Sequence, residues 1–511
     1  MKRLPASLAS RFDRRPENFL AVVLIEQVVL WTLVPLLTFR NAPLDVVENL
    51  GWGKEWQWGY YKHPPLQAWL TEIAFTLSGG GIWSIYLLSQ IAIVLTFVPV
   101  YLLGREAAGA KAGVLAVLFL SLVYYANVPT PEFNAGVIQM PIWAWAAFAL
   151  WRGSTTRKLL WWIALGIAAA LAIYAKYSAV ILFAALVATS IAVPTCRAAY
   201  RTPGPYIAIA TALVLAAPQL VWLRSVDFLP LHYAQGRAGE AVFLGRILAP
   251  LQFLGAQLLD HAGAILMLAA GGGLLVWRRR TADAVSFESG AEVRRFVLWM
   301  AVAPYAFTAL FAAAAGYGLH PMWGSPMPIW IGLAVVLLLR PAYRQSRLGP
   351  MLLVWGSIFV AAPLATGLVT ILGPALAGSQ APRRAAFPGE VIAAQLTALW
   401  RQNTGEPLRI VAGDTWTSGV VAAYSPDRPS VFVDAGTDIN PWISPQRLAT
   451  EGALVVWDTD TPEPPPDLAS LGPFTAIGKV SAPYPGAHDR IAFFRWAIRP
   501  PSRSPGGDHR S

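Results

Sequence analysis

The chain has 511 residues, of which 13% are charged and 56% belong to the hydrophobic set. Soluble domains carry roughly 25% charged residues, so a single soluble core is excluded. The net charge of +11 is scattered along an apolar chain with 22 tryptophans, which argues against nucleic acid as a partner. The single cysteine, Cys196, excludes an intrachain disulfide and a thiolate zinc cluster.

Apolar runs near 20 residues recur from Phe19 to Gly373, and about 20 residues are needed to cross roughly 30 Å of hydrocarbon. We predict about eleven transmembrane helices, at residues 19–39, 81–103, 112–127, 136–151, 159–175, 178–196, 204–223, 257–277, 296–315, 326–339 and 350–373. Lys176 is the only charge between Leu159 and Cys196. A lysine costs roughly 2.5–3.5 kcal/mol at the bilayer centre, so we place it at a turn between two spans.

Lysine and arginine are unevenly distributed between the two sides of the predicted spans. The side with the N-terminus carries about three times as many as the other, which predicts a cytoplasmic N-terminus. An odd number of spans then places the residues after Gly373 in the periplasm. We therefore predict a multi-pass protein of the bacterial inner membrane whose first span is retained.

The residues after Gly373 are more polar and contain short strand-like runs separated by helical ones. A helix is predicted at residues 388–402, and strands at LRIVAG, SVFVD, ALVVWD, FTAIGKV and RIAFFRWAI. The predicted fold is an α-helical polytopic membrane protein with a small C-terminal α/β soluble domain. The predicted domains are a transmembrane domain at 1–373, a periplasmic α/β domain at 374–499 and a disordered tail at 500–511.

The first outer loop, residues 41–69, carries two carboxylates, Asp45 and Glu48. If residues 45–52 are helical, these side chains lie three positions apart on one face, where two carboxylates can separate their pKa values. One is then a candidate general base. The alternative is that both are solvated groups at the end of an interfacial helix.

The same loop contains aromatic side chains beside cations. GYYKHPP places Tyr60, Tyr61, Lys62 and His63 before a diproline, and Trp56 and Trp58 precede it. Aromatic faces and cations suit a sugar and its phosphate. The alternative is an aromatic belt at the headgroup level.

Three further outer segments add single polar groups. TPEFN supplies Glu132, and YAKYS supplies Lys176 and Tyr177. Lys176 is a candidate point charge for a phosphate, although snorkelling explains it equally well. YGLHPMWG supplies His320.

The fourth outer loop contains HYAQGRAG, in which His232 and Arg237 stand five residues apart around a glycine. Guanidinium binds phosphate bidentately, and imidazole donates a hydrogen bond or shuttles a proton. A structural loop arginine is the alternative.

These groups lie on the side away from ATP and nucleotide sugars, so a sugar donor used there must already have crossed the membrane. A lipid-linked phosphosugar meets that requirement. A transporter or flippase of lipid-linked sugars is the alternative, but a carrier places its polar groups near the bilayer midplane. A non-catalytic scaffold gives these groups no purpose.

The segments LDVVENLGWGKEWQWGYYKHPPLQAWL, TPEFN and LGIAAALAIYAKYSAVIL resemble the polyprenyl-phosphate-dependent membrane glycosyltransferases of the protein-mannosyltransferase-like superfamily. The lipid A aminoarabinose transferase and the lipopolysaccharide-core galacturonosyltransferases are bacterial members, and the group has the C-type glycosyltransferase fold. Asp45 and Gly59 keep the family spacing between its catalytic aspartate and GYY. Val46 replaces the Glu that usually follows, and Glu132 replaces an Asp.

The resemblance implies an inverting transfer of a hexosyl or pentosyl group from a polyprenyl phosphate to a glycolipid such as lipid A or its core. It implies a catalytic aspartate at Asp45, assisted by Glu48 and Glu132. The donor phosphate is expected at Lys62, His63, Lys176, His232 and Arg237. Sugar and lipid contacts are expected at Trp56, Trp58, Tyr60, Tyr61, Tyr177 and His320. No cofactor is predicted with certainty, a divalent cation is left open, and the expected partners are the donor, the acceptor and membrane lipids.

Overall fold

The structure is a computed structural model that describes residues 3–239, 245–272, 283–339, 342–376 and 382–502. Three parts of the sequence predictions lie outside these residues. They are the end of the eighth span at 273–277, four of the arginines counted for the predicted orientation (Arg278 to Arg280 and Arg340), and the tail from residue 503.

The chain is mainly helical up to residue 376. The helices of its first half are α1 Arg3–Arg14, α2 Pro16–Thr38, α3 Leu44–Gly53, α4 Leu66–Leu77, α5 Trp83–Ala108, α6 Ala110–Ser121, α7 Ala135–Thr156, α8 Leu159–Ala175, α9 Ala179–Ala192, α10 Pro194–Ala198 and α11 Gly204–Ser225. Those that follow are α12 Leu229–Ala238, α13 Gly245–Asp260, α14 Ala262–Ala270, α15 Ala291–Ala315, α16 Ile331–Leu338 and α17 Leu348–Leu376. Two short strands, β1 Ala284–Val285 and β2 Tyr343–Arg344, pair antiparallel although α15 and α16 lie between them in the sequence.

Five helical stretches among the described residues are long and apolar enough to cross a membrane: Pro16–Thr38, Trp83–Ala108, Gly204–Ser225, Ala291–Ala315 and Gln345–Leu376. The number rises to seven if two bent helix pairs each form one span. A multi-pass membrane protein is confirmed, but the predicted count of eleven is not. Most of the other predicted spans correspond to shorter apolar helices, such as Leu159–Ala175.

Two of the predicted spans contain sharp bends. The span predicted at 178–196 breaks at Pro194, where Ala179–Ala192 and the helical stretch Pro194–Arg201 meet at 93°. Proline ends α9 because it has no N–H for the helical hydrogen bond and restricts the residue before it. The span predicted from 257 instead begins at Gly245 and bends by 50° at His261.

The chain divides into two compact units. The helical unit comprises Met1–Val34, Tyr61–Gln67 and Tyr86–Ala365. The α/β unit comprises Pro35–Tyr60, Ala68–Ile85 and Thr366–Ser511, so most of the first outer loop belongs to the same unit as the C-terminal residues.

The C-terminal part of the α/β unit has the predicted alternation of helices and strands. Its elements are α18 Gly389–Thr404, β3 Ile410–Gly413, α19 Thr415–Tyr424, β4 Ser430–Val433, α20 Pro445–Glu451, β5 Ala453–Trp457, α21 Pro466–Ala469, β6 Ala476–Tyr484 and β7 Ala487–Arg499. The sheet order is β4-β3-β5-β7-β6. The first three strands are parallel, and β7 pairs antiparallel with both β5 and β6.

The parallel strands of this sheet are buried over their whole length, and apolar side chains form the core. Every residue of β3, β4 and β5 is buried, as expected for parallel strands covered on both faces. Phe432 and Trp457 are the largest side chains of the cluster on one face. The predicted α/β character of this region is confirmed.

Candidate functional site

Asp45 and Glu48 lie on α3, a ten-residue helix that begins after Pro43. The helical condition for placing both carboxylates on one face is therefore met. Both side chains are partly exposed, whereas Val46, Val47 and Leu50 are buried. Asp45 is in the first turn, where the positive end of the helix dipole stabilises a carboxylate.

Close packing within the α/β unit holds α3 in place. A Cβ added to Gly419 of α19 would lie 3.1 Å from the side chain of Val47, and one added to Gly51 would lie 3.0 Å from Val431. Just before α3, the backbone N–H of Ala42 donates to the hydroxyl of Tyr424 at 2.7 Å. Helix α3 thus packs closely on C-terminal residues at Gly51 and Gly419. A larger side chain at either glycine would force the neighbouring valine to move.

The departure from the family pattern at Val46 has a structural explanation. The Val46 side chain is fully buried in the structure. A glutamate there would place a charge in an apolar environment, which is costly without a partner. Glu48, one turn away from Asp45 on the partly exposed face, is the second carboxylate of this helix.

The aromatic segment after α3 has an exposed and a buried part. Trp56 and Trp58 are about half exposed, and their ring centroids lie 6.3 Å and 5.5 Å from that of Trp69. Tyr60 is buried, stacks on Trp52 at 4.8 Å, and donates its hydroxyl proton to the Trp52 carbonyl oxygen at 2.7 Å. Tyr60 therefore contributes to the core of the α/β unit, and its sugar contact stays a prediction.

Tyr61 and Lys62 lie in the helical unit beside a residue that the sequence analysis omitted, Tyr233 of α12. The Lys62 Nζ lies 5.1 Å from the Tyr61 ring centroid and 5.9 Å from that of Tyr233. The two tyrosine rings meet edge to face at 5.5 Å. These distances are within the range of cation–π attraction, so the rings orient the ammonium group.

His63 shares this environment with two lysines. Burial, followed by the positive charges of Lys176 and Lys62, lowers the pKa of His63 to about 3. The imidazole is therefore neutral near pH 7 and retains one N–H donor. The structure brings Lys62, His63 and Lys176 into one electrostatic group.

The fourth outer loop is a helix in the structure, α12. Pro230 lies in its first turn, which favours helix initiation. On a helix, five positions amount to a rotation of about 500°, so His232 and Arg237 point about 140° apart rather than to one side. Arg237 instead shares a face with Tyr233, four positions before it.

His320 lies beside the end of α12. Its Nε2 is 3.2 Å from the Arg237 carbonyl oxygen, and the Gly318 N–H donates to the Ala238 carbonyl oxygen at 3.1 Å. These hydrogen bonds hold the segment that carries His320 against the end of α12, the helix that carries Arg237.

Lys176 follows the last turn of α8 and has an extended backbone, so it lies at the break between α8 and α9. This agrees with the predicted turn. The neighbouring Tyr177 hydroxyl accepts a hydrogen bond from Gln219 Nε2 at 2.9 Å, and Ser178 Oγ donates to Gln139 Oε1 at 3.0 Å. Interhelical hydrogen bonds thus fix the break next to the lysine.

Glu132 lies in an irregular segment between α6 and α7 that is held by buried, uncharged polar groups. Gln27 Nε2 donates to Gln90 Oε1 at 2.9 Å, and Gln90 Nε2 donates to Thr130 Oγ1 at 3.1 Å. Ser89 Oγ donates to the Thr130 carbonyl oxygen. This polar chain fixes the backbone two residues before Glu132, whose own side chain is partly exposed.

The structure divides the predicted site residues between the two units. Asp45, Glu48, Trp56, Trp58 and Tyr60 belong to the α/β unit. The remaining ones, Tyr61, Lys62, His63, Glu132, Lys176, Tyr177, His232, Arg237 and His320, belong to the helical unit. Within the part of the chain that the structure describes, no group of three or more His, Cys, Asp or Glu could hold a metal ion.

The chain is similar to known proteins in both sequence and fold. Residues 62–222 match the family of dolichyl-phosphate-mannose-protein mannosyltransferases. The chain is 25% identical over 472 residues to the lipopolysaccharide core galacturonosyltransferase RgtA of Rhizobium johnstonii, covering 88% of this chain and 87% of the relative.

The fold is similar to that of ArnT from Cupriavidus metallidurans. The ArnT structure bound to undecaprenyl phosphate is 14% identical, covers 94% of this chain and 98% of its own, and gives a TM-score of 0.63. The apo structure gives 0.61 with 13% identity. The predicted resemblance to the polyprenyl-phosphate-dependent membrane glycosyltransferases, with their C-type fold, is confirmed.

Proposed function

We propose that the protein transfers one sugar, a hexose or a pentose, from a polyprenyl phosphate to a glycolipid such as lipid A or its core. The observation that carries the proposal is the cationic group of Lys62, His63 and Lys176, with Tyr61 and Tyr233 beside it. Lys62, His63 and Lys176 lie within residues 62–222, the part of the chain that matches the mannosyltransferase family. Fixed cations beside aromatic rings suit a phosphate attached to a sugar.

The reaction is an inverting displacement. The acceptor hydroxyl oxygen attacks the anomeric carbon and forms the new glycosidic bond, while the bond from that carbon to the phosphate oxygen breaks. Asp45 accepts the hydroxyl proton, and Glu48 and Glu132 orient the acceptor. The products are the glycosylated acceptor and the free polyprenyl phosphate.

The leaving group determines the role of the cations. As the anomeric bond breaks, negative charge accumulates on the phosphate, and Lys62, Lys176 and Arg237 stabilise it as preorganised charges. His63 donates a hydrogen bond as a neutral imidazole, and His232 is a second donor. Trp56, Trp58, Tyr61, Tyr177 and His320 contact the sugar and the lipid.

The active side is the periplasmic face of the inner membrane, with the N-terminus in the cytoplasm. The support is the uneven distribution of lysine and arginine between the two sides. Residues 374–499 then form a periplasmic domain. A reporter fused after Ser511 should be active only outside the cytoplasm; activity restricted to the cytoplasm would reverse the orientation.

Transfer itself is tested with the purified full chain in lipid nanodiscs. Synthetic polyprenyl-phosphate sugars and lipid A or core acceptors are supplied, and mass spectrometry follows the acceptor mass. We expect an added sugar from a lipid-linked donor and none from a nucleotide sugar alone. Robust transfer from a nucleotide sugar without prenyl phosphate would contradict the proposal.

A second experiment identifies the group that is transferred. The envelope lipids of a deletion strain should lack one sugar, and mass spectrometry would show which sugar mass is missing.

A further inference from the structure

Arg428, in the turn between α19 and β4, binds two side chains of α4. Its two terminal guanidinium nitrogens donate to the two carboxylate oxygens of Glu72, at 3.1 Å and 2.9 Å. The guanidinium carbon also lies 4.6 Å from the ring centroid of Phe75. The Glu72 side chain is only 10% exposed, so this two-point ion pair is largely shielded from water.

The backbone of the same arginine binds the end of α3. The ammonium group of Lys54 donates to the Arg428 carbonyl oxygen. Burial is the largest cause that lowers the pKa of Lys54, and the Glu55 carboxylate opposes it. The first residue after α3 is therefore held against the turn by a partly buried cation.

The two helices also touch each other at this point. A Cβ added to Gly53 would lie 2.6 Å from the Ala68 carbonyl oxygen and 2.7 Å from the Glu72 Cβ. The end of α3 and the start of α4 therefore pack backbone to backbone, and Arg428 contacts both. Any movement of α4 must be transmitted to α3, since this contact leaves no free space.

The turn adopts a costly conformation to make these contacts. Arg428 has a φ of 46°, in the left-handed region that non-glycine residues rarely adopt. Such a residue costs on the order of 1 kcal/mol and persists where its surroundings hold it in place. The side-chain and backbone contacts of Arg428 supply that support.

We propose that Arg428 is a positioning residue for sugar transfer: by joining Glu72 of α4 and Lys54 after α3, it fixes the helix that carries Asp45. This inference rests on the proposed function. The C-terminal residues then have a direct role in turnover, because they supply the arginine that orients the first outer loop. A misplacement of about 1 Å at a reacting group costs on the order of 10²-fold in rate.

The test uses Arg428→Gln, Glu72→Gln, the double variant and Arg428→Lys in the full chain. We expect kcat for transfer to fall about 10- to 100-fold in each single Gln variant, while the Kd for the prenyl-phosphate donor changes less than about threefold. The double variant should be no slower than the slower single one, because both substitutions break one contact. Arg428→Lys keeps the charge but loses the fork, so it should restore part of the rate.

Arg401→Ala is the matched control. Arg401 pairs with Asp427, the residue just before Arg428, and this pair is exposed on the arginine side. The substitution removes an ion pair from the same turn without touching α3 or α4, so kcat should stay at the wild-type value. An equal loss in Arg401→Ala, or a wild-type kcat in Arg428→Gln, would overturn the inference.

Hydrogen–deuterium exchange over residues 44–77 gives a second readout that does not need turnover. We expect faster exchange in Arg428→Gln and Glu72→Gln, and unchanged exchange in Arg401→Ala. If the wild-type protein transfers no sugar but these exchange rates rise, the proposed function fails and the positioning contact stands. If exchange in this segment is unchanged, the positioning inference is wrong whatever the protein transfers.

Discussion

The two groups of candidate site residues are held by different chemistry. In the helical unit, the segment before Glu132 is fastened by Gln27, Gln90 and Thr130, which are uncharged and buried. In the α/β unit, the loop that carries Asp45 is fastened by apolar packing and by the ion pair between Glu72 and Arg428.

The difference follows from the surroundings of each unit. Lipid offers no hydrogen bonds to an unpaired group, so irregular backbone between membrane helices must be satisfied by protein groups, and amides or hydroxyls cost less to bury than charges. A unit that faces water on part of its surface can use a charged pair, because one side of the pair stays in contact with water. The two kinds of support should therefore respond differently to substitution. We also expect the proton acceptor in the α/β unit and the phosphate-binding cations in the helical unit.

The largest expected effect belongs to the carboxylate of α3. Asp45→Asn should lower kcat by about 10²–10⁴-fold while the donor still binds, because the substitution keeps the shape of the side chain and removes the proton acceptor. Single-turnover transfer and donor binding are measured on the same preparation. Asp467→Asn is the control, since Asp467 also lies in the first turn of a helix.

The control separates catalysis from helix stabilisation. A carboxylate at a helix N-terminus contributes about 0.3–1 kcal/mol, which is the upper bound on the stability that either variant loses with its first-turn charge. If Asp45→Asn retains transfer while Glu48→Gln or Glu132→Gln loses it, the base is that other carboxylate. If none of the three substitutions lowers transfer, the hypothesis of a catalytic site in these loops is wrong, and a transporter of lipid-linked sugars becomes the better hypothesis.

A smaller effect is expected for the cations of the helical unit. Lys176→Ala and Arg237→Ala should each weaken donor binding by about 10- to 100-fold and lower turnover, because a charge-assisted hydrogen bond contributes about 1.5–3 kcal/mol. The phosphate is already charged in the ground state, so binding and rate should fall together. Titration with a polyprenyl phosphate measures this, and a value of Kd equal to that of the wild type would remove the residue from the phosphate site.

Arg224→Ala provides the comparison for these cations. Arg224 is exposed near the end of α11, on the segment that leads into α12, and it has no place in the candidate site. Its removal should leave donor binding unchanged. Equal weakening in all three variants would indicate a general effect of positive charge and would contradict a defined phosphate site.

The polar chain of the helical unit should show its effect in stability. Gln90→Leu removes the acceptor of Gln27 Nε2 and the donor to Thr130 Oγ1, which keeps its own hydrogen bond to the Asn127 carbonyl oxygen. The free energy of unfolding should therefore fall by about 1–3 kcal/mol. Thermal unfolding in detergent measures the loss. Thr96→Val is the control on the same helix, because Thr96 donates only to the Ala92 carbonyl oxygen. A drop in Thr96→Val as large as in Gln90→Leu would show that the interhelical chain has no special role.

Strands and first-loop geometry could be predicted because their determinants are local. Runs such as SVFVD lie between turn residues, and Asp45 and Glu48 gain a common face from helical spacing alone. The bend at Pro194 also had a local signal, although length and hydropathy concealed it. Local patterns could therefore predict elements and their faces.

Other parts of the site could not be predicted from local patterns as they were interpreted. The sequence analysis places HYAQGRAG in a loop, whereas the structure has it in α12, where Tyr233 rather than His232 shares a face with Arg237. Arg428 lies more than 350 positions from Glu72, and no pattern within either segment indicates that they meet. The predicted count of eleven membrane spans is not confirmed, because several of the predicted spans are shorter apolar helices in the structure.

The smallest effect concerns pH and returns to the helical unit. An unfolded His63 would titrate near 6.5, whereas in the folded chain burial and the nearby lysines lower its pKa to about 3. Below pH 6.5 the unfolded chain therefore binds a proton that the folded chain does not, so the free energy of unfolding should fall by roughly 1 kcal/mol between pH 7 and 5.5. His63→Gln should flatten that part of the stability profile, as measured by chemical unfolding at each pH.

Donor binding by the wild type should meanwhile show no step from this imidazole between pH 5 and 8, because the residue is neutral throughout. An unchanged stability slope in His63→Gln would mean that the folded and unfolded chains titrate this imidazole alike, so that it adds a third positive charge to the cationic group below about pH 6.5.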